Sequence, residues 1–339
     1  MGARPVTSFF EQWLVENWRK NFGGERPGRI SIVKTASSGA GLPAKERESK
    51  IILLAFHGKS SRPFAVAKIP RFAHAAPKLK KEHDTLTAMH AESRLGAAFL
   101  RTVPAPLYFG PMGPETVSVQ SALHGRLHRA SARPGAATSR DCARRFAMAR
   151  QWKRTFGAFA NCGESEISSG MIVSWFIQPL DVFGRAARMA GVAADPLVEE
   201  IFQEAEALQG TRLPMARQHG DFTVSNVSFD GGECRVLDFE HYGAEKNPLF
   251  DLMWLARSMW SGAYGASWCR EPSAASALAD TATQILGDAA DMARILYTQA
   301  LLKSFVRKFM HQGAGKDAAT VLVPWYIEEL EALRGAFAA

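Results

Sequence analysis

The sequence predicts an α+β chain in two lobes, a β-rich first third followed by a mainly helical remainder. Three observations predict it. Short apolar runs near the N-terminus are parted by turn signals, stripes of apolar residues at helical spacing fill the chain after Ser139, and one strand-like hairpin near residues 227–239 interrupts those helices. The first lobe is assigned to residues 1–121 and the second to 122–339.

The elements follow in order. Ser8 and Glu11 form a capping-box pattern, with Phe10, Trp13, Leu14 and Trp18 behind them at helical spacing, so a helix opens the chain. Strands are expected at 30–35, 50–56 and 63–69, separated by Ser-Ser-Gly-Ala-Gly and His-Gly-Lys-Ser-Ser-Arg-Pro. A helix near 77–90 and extended segments near 107–109 and 116–121 complete an antiparallel sheet with one helix packed on it. Residues 126–138, rich in Arg, Ala and Ser, read as a connector. In the second lobe Phe146, Ala149, Trp152, Phe156 and Phe159 make one helical stripe, and Met292, Ile295, Leu296, Leu302, Phe305 and Phe309 another. Asp195-Pro196 reads as an N-cap with a first-turn proline. These aromatic stripes are expected to be core.

Composition narrows the function classes. Apolar residues make up 47% and charged residues 22%, ordinary for a globular protein. The apolar run at 51–56 is too short to cross a bilayer, and the opening residues lack the apolar core of a secretory signal. The four cysteines are scattered with no C-x-x-C pair, so a reduced, cytoplasmic protein is expected. Of the net charge of +8, residues 1–120 carry 18 Lys+Arg against 9 Asp+Glu, while the rest carry 23 against 24. A basic first third suits an anionic ligand, or simply a solvated surface. No basic block is interleaved with aromatics, so no nucleic-acid partner is expected.

The hairpin carries the chemistry. Val227-Ser228-Phe229 and residues 234–239 are strand-like around the turn Asp230-Gly231-Gly232-Glu233. With the turn centred between the glycines, Asn226 lies opposite Leu237, one place from Asp238. Strands roughly 5 Å apart would let the Asn226 amide oxygen and the Asp238 carboxylate share one ion, with Asp221 curling back over it. Hard oxygen donors in small number suit Mg²⁺, which shares its shell with substrate phosphates. Phosphoryl transfer needs such a metal and a carboxylate to orient the attacking hydroxyl, the role expected of Asp221. A turn-forming role explains Asp230, but not Asp238 at the end of an apolar strand.

His219-Gly220-Asp221-(x4)-Asn226, then Val236-Leu237-Asp238-Phe239-Glu240, then Pro248-x-x-Asp251-Leu252 resembles the aminoglycoside phosphotransferase and choline kinase-like family. The resemblance implies the bilobal protein-kinase-like fold. It implies Asp221 as catalytic base, Asn226 and Asp238 as Mg²⁺ ligands, His219 as a support of the loop and Asp251 as its brace. A strand lysine and a helix acid should follow in the first lobe: Lys68 in Ala-Val-Ala-Lys, and Glu82, which precedes Leu86 in the family's E-x3-L pattern. Asp84 is the alternative partner, and a lysine snorkelling from a strand end the alternative for Lys68. Gln120 and Ala122 lie in a segment resembling the hinge whose backbone holds adenine. Ser38 and Gly39 fall in a Gly/Ser segment whose backbone N–H groups could cradle phosphate, or which is only a surface turn.

The function expected is ATP-dependent transfer of the γ-phosphate (or that of another nucleoside triphosphate), with Mg²⁺, to a hydroxyl of a small molecule: a sugar, aminocyclitol or amino alcohol. A nucleotide-binding regulatory module without transfer is the alternative, and a metal-dependent phosphoesterase ranks last. Thr223, where protein kinases commonly carry lysine, favours small-molecule acceptors. Glu240, His241 and Tyr242 could face the acceptor. The run Glu328, Glu329, Glu331 reads as a solvated helix face, and no membrane span is expected. Whether the chain is a homo-oligomer is left open.

Overall fold

The computed structural model describes residues 5–36, 50–127 and 134–337. By internal contacts the chain forms two units, Met1–Arg126 with Arg235–His241, and Leu127–Cys234 with Tyr242–Ala339. Ser38 and Gly39 lie outside the described residues.

The first unit opens with helix α1 (Val6–Glu16), whose N-cap is Pro5. Ser8 is therefore in the first turn and not at the cap. Pro5 sits at φ −67°, already suited to start a helix, and Ser8 donates its amide to the Pro5 carbonyl. Phe10 and Leu14 are fully buried against a five-stranded antiparallel sheet. Its strands are β1 (Ile30–Ala36), β2 (Lys50–His57), β3 (Ala65–Pro70), β4 (Pro106–Met112) and β5 (Glu115–Ser121), in the order β1-β2-β3-β5-β4. Lys68 on β3 stands opposite Ile52 on β2 and Ser118 on β5. Helix α2 (Ala76–Ala91) takes Pro77 in its first turn and buries Leu79, Glu82, Thr85, Leu86 and Met89. That i, i+3, i+4 stripe carries Glu82 inward with the apolar residues, where a carboxylate needs a charged partner.

The second unit is mainly helical. Helix α3 (Ala136–Ala160) buries Phe146, Ala149, Trp152 and Phe156, the stripe read from the sequence. Strands β6 (Asn161–Glu166) and β7 (Arg212–Ala216) pair antiparallel. Neither was expected: Asn161–Glu166 is exposed at every position and has no apolar alternation, and the short alternation of Leu213 and Met215 is interrupted by Pro214. The remaining helices that position the site are α4 (Phe250–Tyr264), α5 (Ala293–His311) and α6 (Lys316–Ala336).

The hairpin arms are β8 (Val227–Asp230) and β9 (Glu233–Val236). Gly231 and Gly232 both have positive φ, 54° and 87°, as a two-residue type I′ turn requires. The second arm is shorter than expected: it stops at Val236, and Phe239–His241 is a 3₁₀ turn. Asp238 ends it by adopting φ 69°, a left-handed conformation that Asp tolerates better than most residues. Asn226 and Asp238 thus both lie just beyond the paired strands. Asp238 belongs to the first unit and Asn226 to the second. Among the described residues no helix is long and apolar enough to cross a membrane.

Candidate active site

In the first unit five charged side chains meet. Lys68 Nζ donates to both oxygens of Glu82, at 2.6 and 2.8 Å, and to Asp238 Oδ1 at 3.1 Å. Glu82 is fully buried, and Asp84, the alternative partner, instead pairs with Lys80 on the surface. Lys50, at the start of β2, donates to the same Asp238 Oδ1 at 3.1 Å and forms an ion pair with Glu240 at 2.6 Å. His241 Nε2 is 3.5 Å from Glu240 Oε1. Among the described residues three carboxylates therefore face two ammonium groups, an excess of one negative charge when His241 is neutral.

Burial opposes the charges of Lys68, Lys50, Glu82 and Asp238, and the partners win for both lysines and for Asp238. Desolvation alone would raise the Asp238 carboxyl, but the ammonium groups of Lys68 and Lys50 hold it far below the usual carboxylate range. Burial would depress Lys68, yet Asp238 and Glu82 push it well above an ordinary lysine. Lys50 also shifts up, with burial and the neighbouring Lys68 acting against Asp238 and Glu240.

The hinge residues are placed less simply. Gln120 is buried on β5, and its Oε1 has no hydrogen-bond partner among the described residues. The Ala122 amide donates to the Phe64 carbonyl at 3.0 Å, so Ala122 can offer a ligand its carbonyl but not its N–H.

In the second unit a loop after β7 is held by one aspartate. Asp251, in the first turn of α4 and fully buried, accepts the His219 amide on Oδ2 at 2.6 Å and the Gly220 amide on Oδ1 at 2.9 Å. Lys153 from α3 donates to Asp251 Oδ2 at 2.7 Å and to Gln218 Oε1 at 3.1 Å. Gly220 has φ 83°, a turn that brings consecutive amides onto one carboxylate. His219 is buried, and its Nδ1 accepts the Asp221 amide at 3.3 Å.

Asp221 follows from this anchored backbone with about a quarter of its side chain exposed. Asn226 Nδ2 donates to Asp221 Oδ2 at 2.8 Å and to the Asp221 carbonyl at 2.9 Å. That commits the amide nitrogen and turns Asn226 Oδ1 away from Asp221. On the other side Arg307, from α5, donates to the Gly220 carbonyl at 2.9 Å and stands 3.5 Å from Asp221 Oδ1. Its guanidinium lies over the Trp254 ring, 5.1 Å from the centroid.

Several expectations meet a different environment. Glu240 is tied to Lys50, and Tyr242 is buried in the second unit, stacked on Phe159 at 5.4 Å, so it is packing. Glu329 is fully buried, paired with Arg257 at 2.6 Å and accepting from Trp268 Nε1, so the acidic run is not merely a solvated face. Sequence reasoning missed Lys50, Lys153, Gln218 and Arg307. The first three carry no motif. Arg307 lies on the face opposite the apolar stripe of α5, and only its four-residue step from Lys303, itself four from Gln299, marks a polar face.

Each unit offers hard oxygen donors of its own. In the first, Asp238 Oδ2 is not used by the two lysine contacts, which both fall on Oδ1; in the second, the Asn226 amide nitrogen is committed to Asp221, leaving its oxygen as the acceptor end. Carboxylate and amide oxygens are the donor types Mg²⁺ prefers.

Comparison with known proteins adds a family and a fold. The model of the family APH, described as "Phosphotransferase enzyme family", matches residues 55–284. A glucosamine kinase in complex with glucosamine, ADP and inorganic phosphate is similar at a TM-score of 0.55 and 15% identity, over 98% of this chain and 86% of that one. A second form of glucosamine kinase, crystal form B, gives 0.53 and 17%, over 98% and 85%. At such identities the likeness is one of fold, kinase-like and α+β. A search of the curated proteins finds no match.

Proposed function

The chain belongs to the phosphotransferase enzyme family, and from that premise we propose that it transfers the γ-phosphate of ATP to a hydroxyl of a small molecule. The candidate acceptors are a sugar, an aminocyclitol or an amino alcohol. The observation that carries the reading is the grip of Asp251 on the His219 and Gly220 amides, which fixes the backbone that presents Asp221. Phosphoryl transfer depends chiefly on positioning and charge, and a carboxylate on an anchored loop supplies the first.

In this reading Asp221 orients the acceptor hydroxyl and takes its proton. The acceptor oxygen then bonds to the γ-phosphorus as the bond from that phosphorus to the bridging oxygen breaks, and ADP leaves. Asn226 steadies the Asp221 carboxylate through its Nδ2, and Arg307 faces the other oxygen. In the first unit Lys68, set by Glu82, neutralises phosphate charge, and Lys50 is a second cation for the same task. Asp238 and Asn226 would hold Mg²⁺, which supplies charge neutralisation for the triphosphate. Gln120 and the Ala122 carbonyl are assigned to the adenine side, and Ser38 and Gly39 to the phosphates. A cytoplasmic setting, where ATP and Mg²⁺ are plentiful, goes with this reading.

The test is nucleotide consumption by purified protein with Mg²⁺ over aminoglycosides, sugars, amino alcohols and nucleosides. Asp221→Ala is expected to melt like the wild type and to lose ~10²–10⁴-fold in turnover on any acceptor found. Undiminished turnover in that variant would remove Asp221 from the mechanism.

A further inference from the structure

The surroundings of Asp221 carry information about the acceptor, and the inference drawn from them rests on the phosphotransferase reading above. We propose that the acceptor bears an oxyanion, a carboxylate or a phosphate, close to the hydroxyl that is phosphorylated, and that Arg307 is the residue that selects it. This narrows the acceptors of that reading: those with an ammonium near the hydroxyl, as in aminocyclitols and amino alcohols, are selected against in favour of an anionic sugar or polyol.

Arg307 is fixed beside the reacting group. Its Nη1 donates to the Gly220 carbonyl at 2.9 Å and lies 3.5 Å from Asp221 Oδ1, and the guanidinium rests on Trp254. Both polar contacts use Nη1, while the side chain keeps 39% of its surface exposed. A guanidinium carries five N–H donors in a rigid fork suited to two oxygens of one anion. A group anchored on one edge and open elsewhere is a recognition element for an oxyanion, pre-set in direction by the ring beneath it.

The carboxylates around the loop point the same way. Asp251 is matched by Lys153 at 2.7 Å, and Glu245, whose carbonyl accepts the Gln218 amide, faces Lys303 at 3.7 Å. Asp221 itself faces Arg307. A polycationic acceptor would need acidic side chains to spare beside the loop, and each of these already has a cation. A quaternary ammonium would need an open aromatic face, and Arg307 occupies that of Trp254. Gln299, Lys303 and Arg307 recur every four residues on α5, so one face of that helix turns two cations and an amide toward the loop and its neighbours: Asn247 by Gln299, Glu245 by Lys303, and Gly220 with Asp221 by Arg307.

The experiment is steady-state kinetics with MgATP on acceptors of one skeleton that differ only at C6 and share the hydroxyls at C1 to C4: 6-amino-6-deoxyglucose, 6-deoxyglucose, glucuronate and glucose 6-phosphate. The same amine-against-oxyanion comparison is made on any other skeleton that the broader screen returns. For the wild type, kcat/KM is expected to rank oxyanion above neutral above amine, with ~10–100-fold between the extremes, the scale of one charged hydrogen bond. The glucuronate and glucose 6-phosphate arms tell a carboxylate from a phosphate. Arg307→Gln should collapse the ranking to within a few-fold, mainly through KM, and Arg307→Lys should keep its sign. Wild-type preference for the amine, or an unchanged ranking in Arg307→Gln, overturns the proposal while leaving phosphotransfer standing. Absence of transfer to every hydroxyl compound overturns the family-based reading and this inference with it.

Discussion

Asp238 and Asp251 each face a lysine ammonium, at 3.1 and 2.7 Å, yet different partners complete their surroundings. Asp238 stands among charged side chains: Lys50 and Lys68 beside it, with Glu82 and Glu240 beyond them. Asp251 spends its oxygens on two backbone amides as well as on Lys153. The first arrangement balances charge and can be re-formed around another anion, because every group in it is a side-chain end and none is a main-chain amide. The second fixes the path of the main chain, since amides cannot leave without moving the loop. On the proposed reading, phosphoryl transfer uses both: charged side chains that can turn to a ligand, and a loop that holds Asp221 where it is.

The strongest way to break this comparison is at the backbone clamp. Asp251→Asn leaves Lys153 buried without its carboxylate and faces an NH₂ group toward amides that need acceptors. A loss of ~5 kcal/mol in denaturant unfolding is expected, the upper end for a broken buried pair; a loss under ~1 kcal/mol would mean the amides find other acceptors. Lys68→Met should cost ~3 kcal/mol, the lower end of the same range, because Glu82 is stranded but its neighbours can rearrange. The double change Lys68→Met/Glu82→Leu should recover most of that, and failure to recover would show that the pair is not the unit of the interaction.

A pH scan sharpens the contrast further. The folded Asp238 carboxyl lies below its ordinary 3.8, so its stabilisation is fully present above that value and is lost as pH falls through the lower folded one. The stability gap between wild type and Asp238→Asn should be flat from about pH 5 upward and narrow in acid by on the order of 2 kcal/mol. Lys68 mirrors this in alkali: its contribution is complete below 10.5 and lost as pH rises through the higher folded value. The smallest effect belongs to Lys80→Ala, which removes a pair with both ends more than half exposed and should change stability by no more than ~0.5 kcal/mol.

What could be read from the letters follows from how each feature is encoded. The sheet and α2 were legible because burial writes a local pattern, and the same pattern put Glu82 on the inward face to meet Lys68. The anchored loop was legible as far as its spacing is short: His219, Gly220, Asp221 and Asn226 lie within eight residues. Lys50 and Arg307 were not, because each meets its partner across a long stretch of sequence that leaves no periodic trace. The early end of β9 was missed because Leu237 and Phe239 continue an apolar run while the Asp238 backbone turns out of it. The polar strand Asn161–Glu166 had no side-chain signal at all; its pairing is made by backbone.

The first unit is built from two separate pieces of chain, and Arg235–His241 is the late one. During synthesis the sheet and α2 leave the ribosome before Asp238 and Glu240 exist, so Lys50 and Lys68 wait with Glu82 as their sole carboxylate from this cluster. At ~5–20 residues per second the delay is on the order of ten seconds. A nascent chain stalled before residue 235 should therefore hold this unit in a looser, protease-sensitive form, which release of a few further residues would tighten.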